Sequence, residues 1–171
     1  MKRDIYKKLV EWKNSDNRKP LILNGARQVG KTYILREFAQ KEYEKYAYFS
    51  LDRDQRAAAI FNGGGTANDI LLSLSAISNI DITPENTIVI LDEIQDCPKA
   101  LETLKFFCED APDIHVVVAG SLLGVSLHDG VSYPVGKVDE LRLYPMTFLE
   151  FLDAMGKEKL FQLLKSLDES Q

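Results

Sequence analysis

"LILNGARQVGKT", residues 21–32, decides the fold. Leu21 to Leu23 form a short aliphatic run that suits a buried strand. Gly25 to Thr32 then fit GxxxxGK[ST]. The glycines let the backbone turn tightly, so that several N–H groups converge on phosphate oxygens. A helix opening near Lys31 adds its positive dipole end to the same point. Lys31 is long enough to reach terminal phosphates, and the Thr32 hydroxyl is a ligand for Mg²⁺. Four fixed positions match by chance in roughly 0.6% of chains this long. The strand before the loop and the helical pattern after it make coincidence rarer still. The expected nucleotide-binding set is Gly25, Ala26, Arg27, Gln28, Val29, Gly30, Lys31, Thr32 and Tyr33. Within it, Arg27 and Gln28 are more readily solvent-facing side chains than ligands.

A second stretch needs a cation to explain it. "TIVILDEIQD", residues 87–96, runs apolar and then ends on adjacent carboxylates. A strand parallel to residues 21–23 would deliver Asp92 close to Thr32. Asp92 would then hold Mg²⁺, mostly through water, because Mg²⁺ keeps several of its waters. Glu93 points elsewhere and can polarise a water in line with the terminal phosphate, as a general base does. Ser121, just past the apolar "VVVAG", is placed to sense that phosphate or hold the attacking water. A turn or helix-capping serine is the bland alternative. The expected catalytic set is Glu93, Lys31 and Ser121, with Thr32 and Asp92 on the metal and magnesium with ATP as the cofactor.

The rest of the chain agrees with an α/β class. Helical spacing is expected over 4–14 (Ile5, Leu9 and Trp12 inward), 31–44, 55–61, 67–79, 98–109, 147–154 and 157–167. Strands are expected over 21–23, 46–51, 87–91, 114–120 and 138–145. Alternating strands and helices imply a parallel sheet covered on both faces. The 171 residues suit one domain, 45% hydrophobic and 27% charged. A net charge of −5 disfavours a broad nucleic-acid surface. No signal peptide is visible and no apolar run nears the roughly 18 residues of a membrane span, so a cytoplasmic location without membrane contact is expected. Cys97 and Cys108 are read as free thiols, His115 as a satisfied core or edge histidine and His128 as solvated. Asp52 and Asp54 follow the second strand and could approach the terminal-phosphate side of the pocket, but are more readily solvated loop acids. Ile5 and Tyr6 either line a base pocket or pack in the core.

The blocks "RDIYKKL", "LILNGARQVGKTYILREFA", "YFSLD", "IVILDEIQDCPKALETLKFF", "VVVAGSLLG" and "ELRLYPMTFLEFL", in this order, resemble the AAA-type ATPase domain of a bacterial and archaeal family of P-loop proteins. Members of that family usually carry a C-terminal nuclease-like module of unknown function. The resemblance implies a three-layer P-loop NTPase fold of the additional-strand, catalytic-glutamate type, with sheet order 5-1-4-3-2. It also implies that Gln95 lies near the site. Residues 1–145 would be the ATPase core with its N-terminal helix. Residues 146–171 would begin a helical lid or linker, beyond which the family architecture normally continues, so an excised domain or truncated product is expected.

The family usually has Gly-Arg where this chain has Gly136-Lys137. If that arginine stabilises transition-state charge, lysine is a poorer substitute because it lacks the planar fork. The leading functional expectation is therefore a slow ATPase that couples hydrolysis to conformational work. A missing cation would come from a homo-oligomer neighbour or from the C-terminal domain. The alternatives are a nucleotide-dependent binding switch and, less favoured because of Glu93, a P-loop kinase.

Overall fold

A computed structural model describes residues 4–121 and 132–168. His128 lies outside the described residues. Among those residues, five strands form one all-parallel sheet: β1 (Leu21–Asn24), β2 (Lys45–Ser50), β3 (Thr87–Asp92), β4 (His115–Gly120) and β5 (Asp139–Arg142). Their spatial order is β2-β3-β4-β1-β5, the expected 5-1-4-3-2 read from the other edge. β1, β3 and β4 occupy the middle, and every residue in them is buried. The edge strand β5 alternates between half-buried and exposed. It spans only 139–142 within the expected 138–145.

The central strands feed two cores. Ile22, Val89, Leu91, Val116 and Val118 face one layer, where they meet Phe49, Phe61, Leu74, Leu104 and Phe107. That layer is formed by α3 (Gln55–Gly63), α4 (Ala67–Ser78) and α5 (Pro98–Asp110). Leu21, Leu23, Ile88, Ile90, Val117 and Ala119 face the other layer, made by α1 (Asp4–Lys13) and α2 (Lys31–Glu42). Ile5, Leu9 and Trp12 of α1 fall at i, i+4 and i+7 and are all buried there. Phe38 and Phe107 are at most 1% exposed. Truncating either to alanine is expected to cost about 3–5 kcal/mol.

Local chemistry sets the helix starts. Asp54 accepts from the backbone N–H groups of Arg56 and Ala57, so it caps α3 and is not the free loop acid that its sequence position implied. Thr66 and Asp69 make a capping box for α4, and Pro98 opens α5. α3 runs on to Gly63, two residues past its expected end. Thr147 and Glu150 form a second capping box at α6 (Phe148–Ala154), which packs on α7 (Glu158–Asp168). Among the described residues no helix is long and apolar enough to cross a membrane.

Candidate functional site

The site forms where the C-terminal ends of β1, β3 and β4 meet. In an open parallel sheet this is where ligands collect. The loop from Gly25 to Gly30 leaves β1 and enters α2. Gln28 (φ 64°) and Gly30 (φ 95°) both adopt left-handed backbone, and Gly30 is the residue from which α2 starts. Gly25 is fixed by crowding: a Cβ there would lie 2.5 Å from the Leu143 carbonyl oxygen. Lys31 Nζ donates to the carbonyls of Gly25 (2.8 Å) and Ala26 (2.6 Å), so the ammonium is held inside its own loop. Burial lowers its pKa, and the charges of Glu93 and Asp92 partly oppose that shift.

Side-chain parity brings the acid to the loop. Asp92 lies on the same face of β3 as Ile88 and Ile90, which pack toward α2. Thr32 Oγ1 donates to Asp92 Oδ2 at 2.5 Å, so the strand end does deliver Asp92 beside Thr32. Asp92 is 2% exposed, and its carboxylate is fully engaged. Tyr48 Oη donates to the same Oδ2 at 2.7 Å, and the Glu93 backbone N–H donates to Oδ1 at 2.9 Å. A carboxylate this buried needs such donors.

The chain turns sharply after β3. Glu93 sits in left-handed backbone (φ 54°), an uncommon state for a residue with a Cβ. A short 3-10 turn, Ile94–Asp96, follows it. The turn brings Glu93 into a cleft of about 650 Å³. The loop side of this cleft is lined by Arg27, Gln28, Gly30, Lys31, Thr32 and Tyr33. The opposing wall consists of Asp52, Glu93, Gln95, Asp96 and Ser121. The structure therefore gathers Lys31, Thr32, Glu93 and Ser121 in one place, with Asp92 beneath them. Gln95 donates to Glu93 Oε2 and accepts from the Ser121 backbone N–H.

The structure also places the residues that the sequence left open. Asp52 is exposed, as read, and also lines the cleft. Lys137 lies just before β5, at the N-terminal end of the parallel strands and so away from the loop at 25–30, and it pairs with Glu109 at 3.1 Å. Among the described cleft residues the cations are Arg27 and Lys31. Ile5 is buried in the α1–α2 core, and the Tyr6 hydroxyl bonds to Glu42, so neither lines this cleft. Tyr48 was missed altogether. The alternation in "YAYFSL" hinted at its face, but only strand register places it beside Asp92.

His115 is the satisfied histidine expected. Its Nδ1 lies 2.6 Å from Tyr43 Oη, and its ring packs edge-on to Trp12. Cys97 and Cys108 are free.

A family model described as "AAA domain" matches residues 17–152. No curated protein shows significant sequence similarity to the chain. Among solved structures, the Walker-type ATPase of Pyrococcus abyssi is similar over 92% of this chain and 58% of its own, at 18% identity and a TM-score of 0.59. The ORC1 protein of Aeropyrum pernix, in complex with DNA, is similar over 90% of this chain and 47% of its own, at 16% identity and a TM-score of 0.53. Drosophila ORC bound to DNA gives 95% and 47%, at 13% identity and a TM-score of 0.59. At these identities the likeness is one of fold. The chain spans 47–58% of the length of these structures.

Proposed function

The chain belongs to the AAA domain family, and from that premise we propose that it binds magnesium-ATP in the cleft beside residues 25–33 and hydrolyses it to drive conformational work. The observation that carries this reading is the 2.5 Å contact between Thr32 and Asp92, a hydroxyl and a carboxylate from different elements at the mouth of a phosphate loop. Hard oxygen donors of this kind suit Mg²⁺. Thr32 would ligate it directly and Asp92 mostly through water. When bound, magnesium neutralises phosphate charge.

The chain's own residues do the rest. Lys31 exchanges the carbonyls of Gly25 and Ala26 for phosphate oxygens. The N–H groups of the loop and of the first turn of α2 bind the remaining phosphate oxygens. Glu93 takes a proton from the attacking water, and Ser121 holds the terminal-phosphate side of the cleft. Residues 1–145 act as the ATPase core, with α6 and α7 as the start of a lid or linker. The net charge of −5 argues against a broad DNA surface, although two of the similar structures are DNA complexes.

A single-turnover assay with labelled ATP tests this reading. Release of free phosphate is expected. Glu93→Gln should leave binding intact and slow the release by about 10²- to 10⁴-fold. If Asp92→Asn slows hydrolysis and Glu93→Gln does not, the division of roles between the acids is wrong. Label appearing on an acceptor would make the protein a kinase. ATP retained unchanged would support a second reading, a nucleotide-dependent binding switch. The position of Lys137 favours that alternative, since its ammonium faces Glu109 and not the cleft.

A further inference from the structure

The geometry points to Gln95 as a positioning residue that fixes the Glu93 carboxylate and ties it to the end of β4. This inference rests on Glu93 acting as the base. The side-chain amide of Gln95 is used at both ends. Nε2 donates to Glu93 Oε2 and, at 3.0 Å, to Asp96 Oδ2. Oε1 accepts from the Ser121 backbone N–H at 3.3 Å. A flipped amide would set its oxygen against two carboxylates and its NH₂ against an N–H, so one orientation alone satisfies the surroundings.

β4 is shaped to admit this side chain. A Cβ on Gly120 would lie 2.6 Å from Gln95 Oε1 and 2.7 Å from Ile94 Cγ2. The last residue of β4 is thus one that leaves room for the bridge. The 3-10 turn after Glu93 supplies the other half, because its hydrogen bond from Asp96 N to Glu93 O (3.0 Å) folds Gln95 back toward the residue it contacts. A glutamate has three side-chain torsions, and a base must hold its oxygen at hydrogen-bonding reach of one water. Gln95 engages Oε2 and leaves Oε1 for that water. Ser121 shares the same amide, so a shift of β4 at the phosphate side carries Glu93 with it.

The test uses Gln95→Met, which keeps the length and loses the hydrogen bonds, and Gln95→Asn, which is too short to span Glu93 and Ser121. Thermal unfolding first establishes that each variant folds. Either variant is expected to cut the single-turnover hydrolysis rate about tenfold, part of the usual contribution of a general base. ATP affinity by calorimetry should stay within about twofold, because a positioning role moves kcat and not binding. In a Glu93→Gln background the Gln95 changes should add nothing further, since both act through one carboxylate. Full, additive losses in that background would overturn the inference. One readout needs no turnover: the side-chain carboxyl carbon resonance of Glu93 should move in Gln95→Met. If the wild-type chain releases no phosphate, the proposed ATPase reading fails on its own. An unmoved Glu93 resonance would overturn the bridge whether or not the chain hydrolyses ATP.

Discussion

Removing one hydroxyl from β2 should destabilise the whole molecule, and the site geometry gives the size. Tyr48→Phe deletes the donor that lies 2.7 Å from Asp92 Oδ2. Asp92 is 2% exposed, so water cannot easily take the place of the lost donor. Hydrogen bonds to charged groups are worth about 1.5–3 kcal/mol, and leaving a buried acceptor short of a partner costs at least that order. Thr32 and the Glu93 N–H remain, so the lower half of the range applies, about 1.5–2 kcal/mol. For a chain of this length that is a fall in Tm of about 3–8 °C. Tyr46→Phe is the control. It makes the same chemical change two residues away, where the hydroxyl only accepts a 3.5 Å contact from Gln40 at an exposed position. Its expected cost is below about 0.5 kcal/mol. Urea unfolding of both variants without nucleotide is the assay. The reasoning is refuted if the two substitutions cost the same.

Lys31→Ala should abolish detectable magnesium-ATP binding by calorimetry while the circular dichroism spectrum stays unchanged; wild-type affinity in this variant would remove the phosphate-loop assignment. Turnover per subunit should be slow when dilute and should climb with protein concentration if a neighbouring copy supplies a cation, a contribution of about 10³ to 10⁵ in comparable enzymes. Fast, concentration-independent turnover would show that the site is complete within one chain. Burial, with the charges of Arg18 and Lys13, pushes His115 down to about 4. The folded value lies below the unfolded value of about 6.5, so this stabilising contribution is complete above pH 6.5 and is lost as pH falls toward 4. The loss should be about 2–3 kcal/mol. His115→Phe should flatten that part of the urea-midpoint profile, and an unchanged slope would refute the assignment.

The loop at 25–30 was legible because its pattern is local. Gly25, Gly30, Lys31 and Thr32 lie within eight residues, and backbone geometry alone brings them together. Asp92 was legible for a related reason: an apolar run that stops on an acid marks a strand end, and parallel strands align their ends. Tyr48 was not legible, because its role depends on the pairing of β2 with β3, which sets Tyr48 opposite Ile90 and Ser50 opposite Asp92. Lys137 was weighed only as a weaker stand-in for an arginine of the family, and the direction of β5, parallel to β1, shows that it sits at the N-terminal end of the strands, away from residues 25–30. Asp54 was read as a loop acid from its place after the second strand, while its partners are the N–H groups of the helix it starts.

The abutment of Gly25 on Leu143 has a mechanical meaning. Leu143 donates its N–H to the Asn24 carbonyl at 2.7 Å, and its own oxygen presses where a Gly25 side chain would be. Leu143 also follows directly on β5 and leads, within five residues, into α6. The strand that rises into the loop at 25–30 and the segment that departs toward the helical pair therefore meet at one joint. A twist of the helical pair carried through residues 144–147 would reach Gly25 there. A loop that tightened around a ligand would push back through the same joint. Lengthening the segment between Leu143 and Phe148 with a few flexible residues would disconnect the lever while leaving the joint intact.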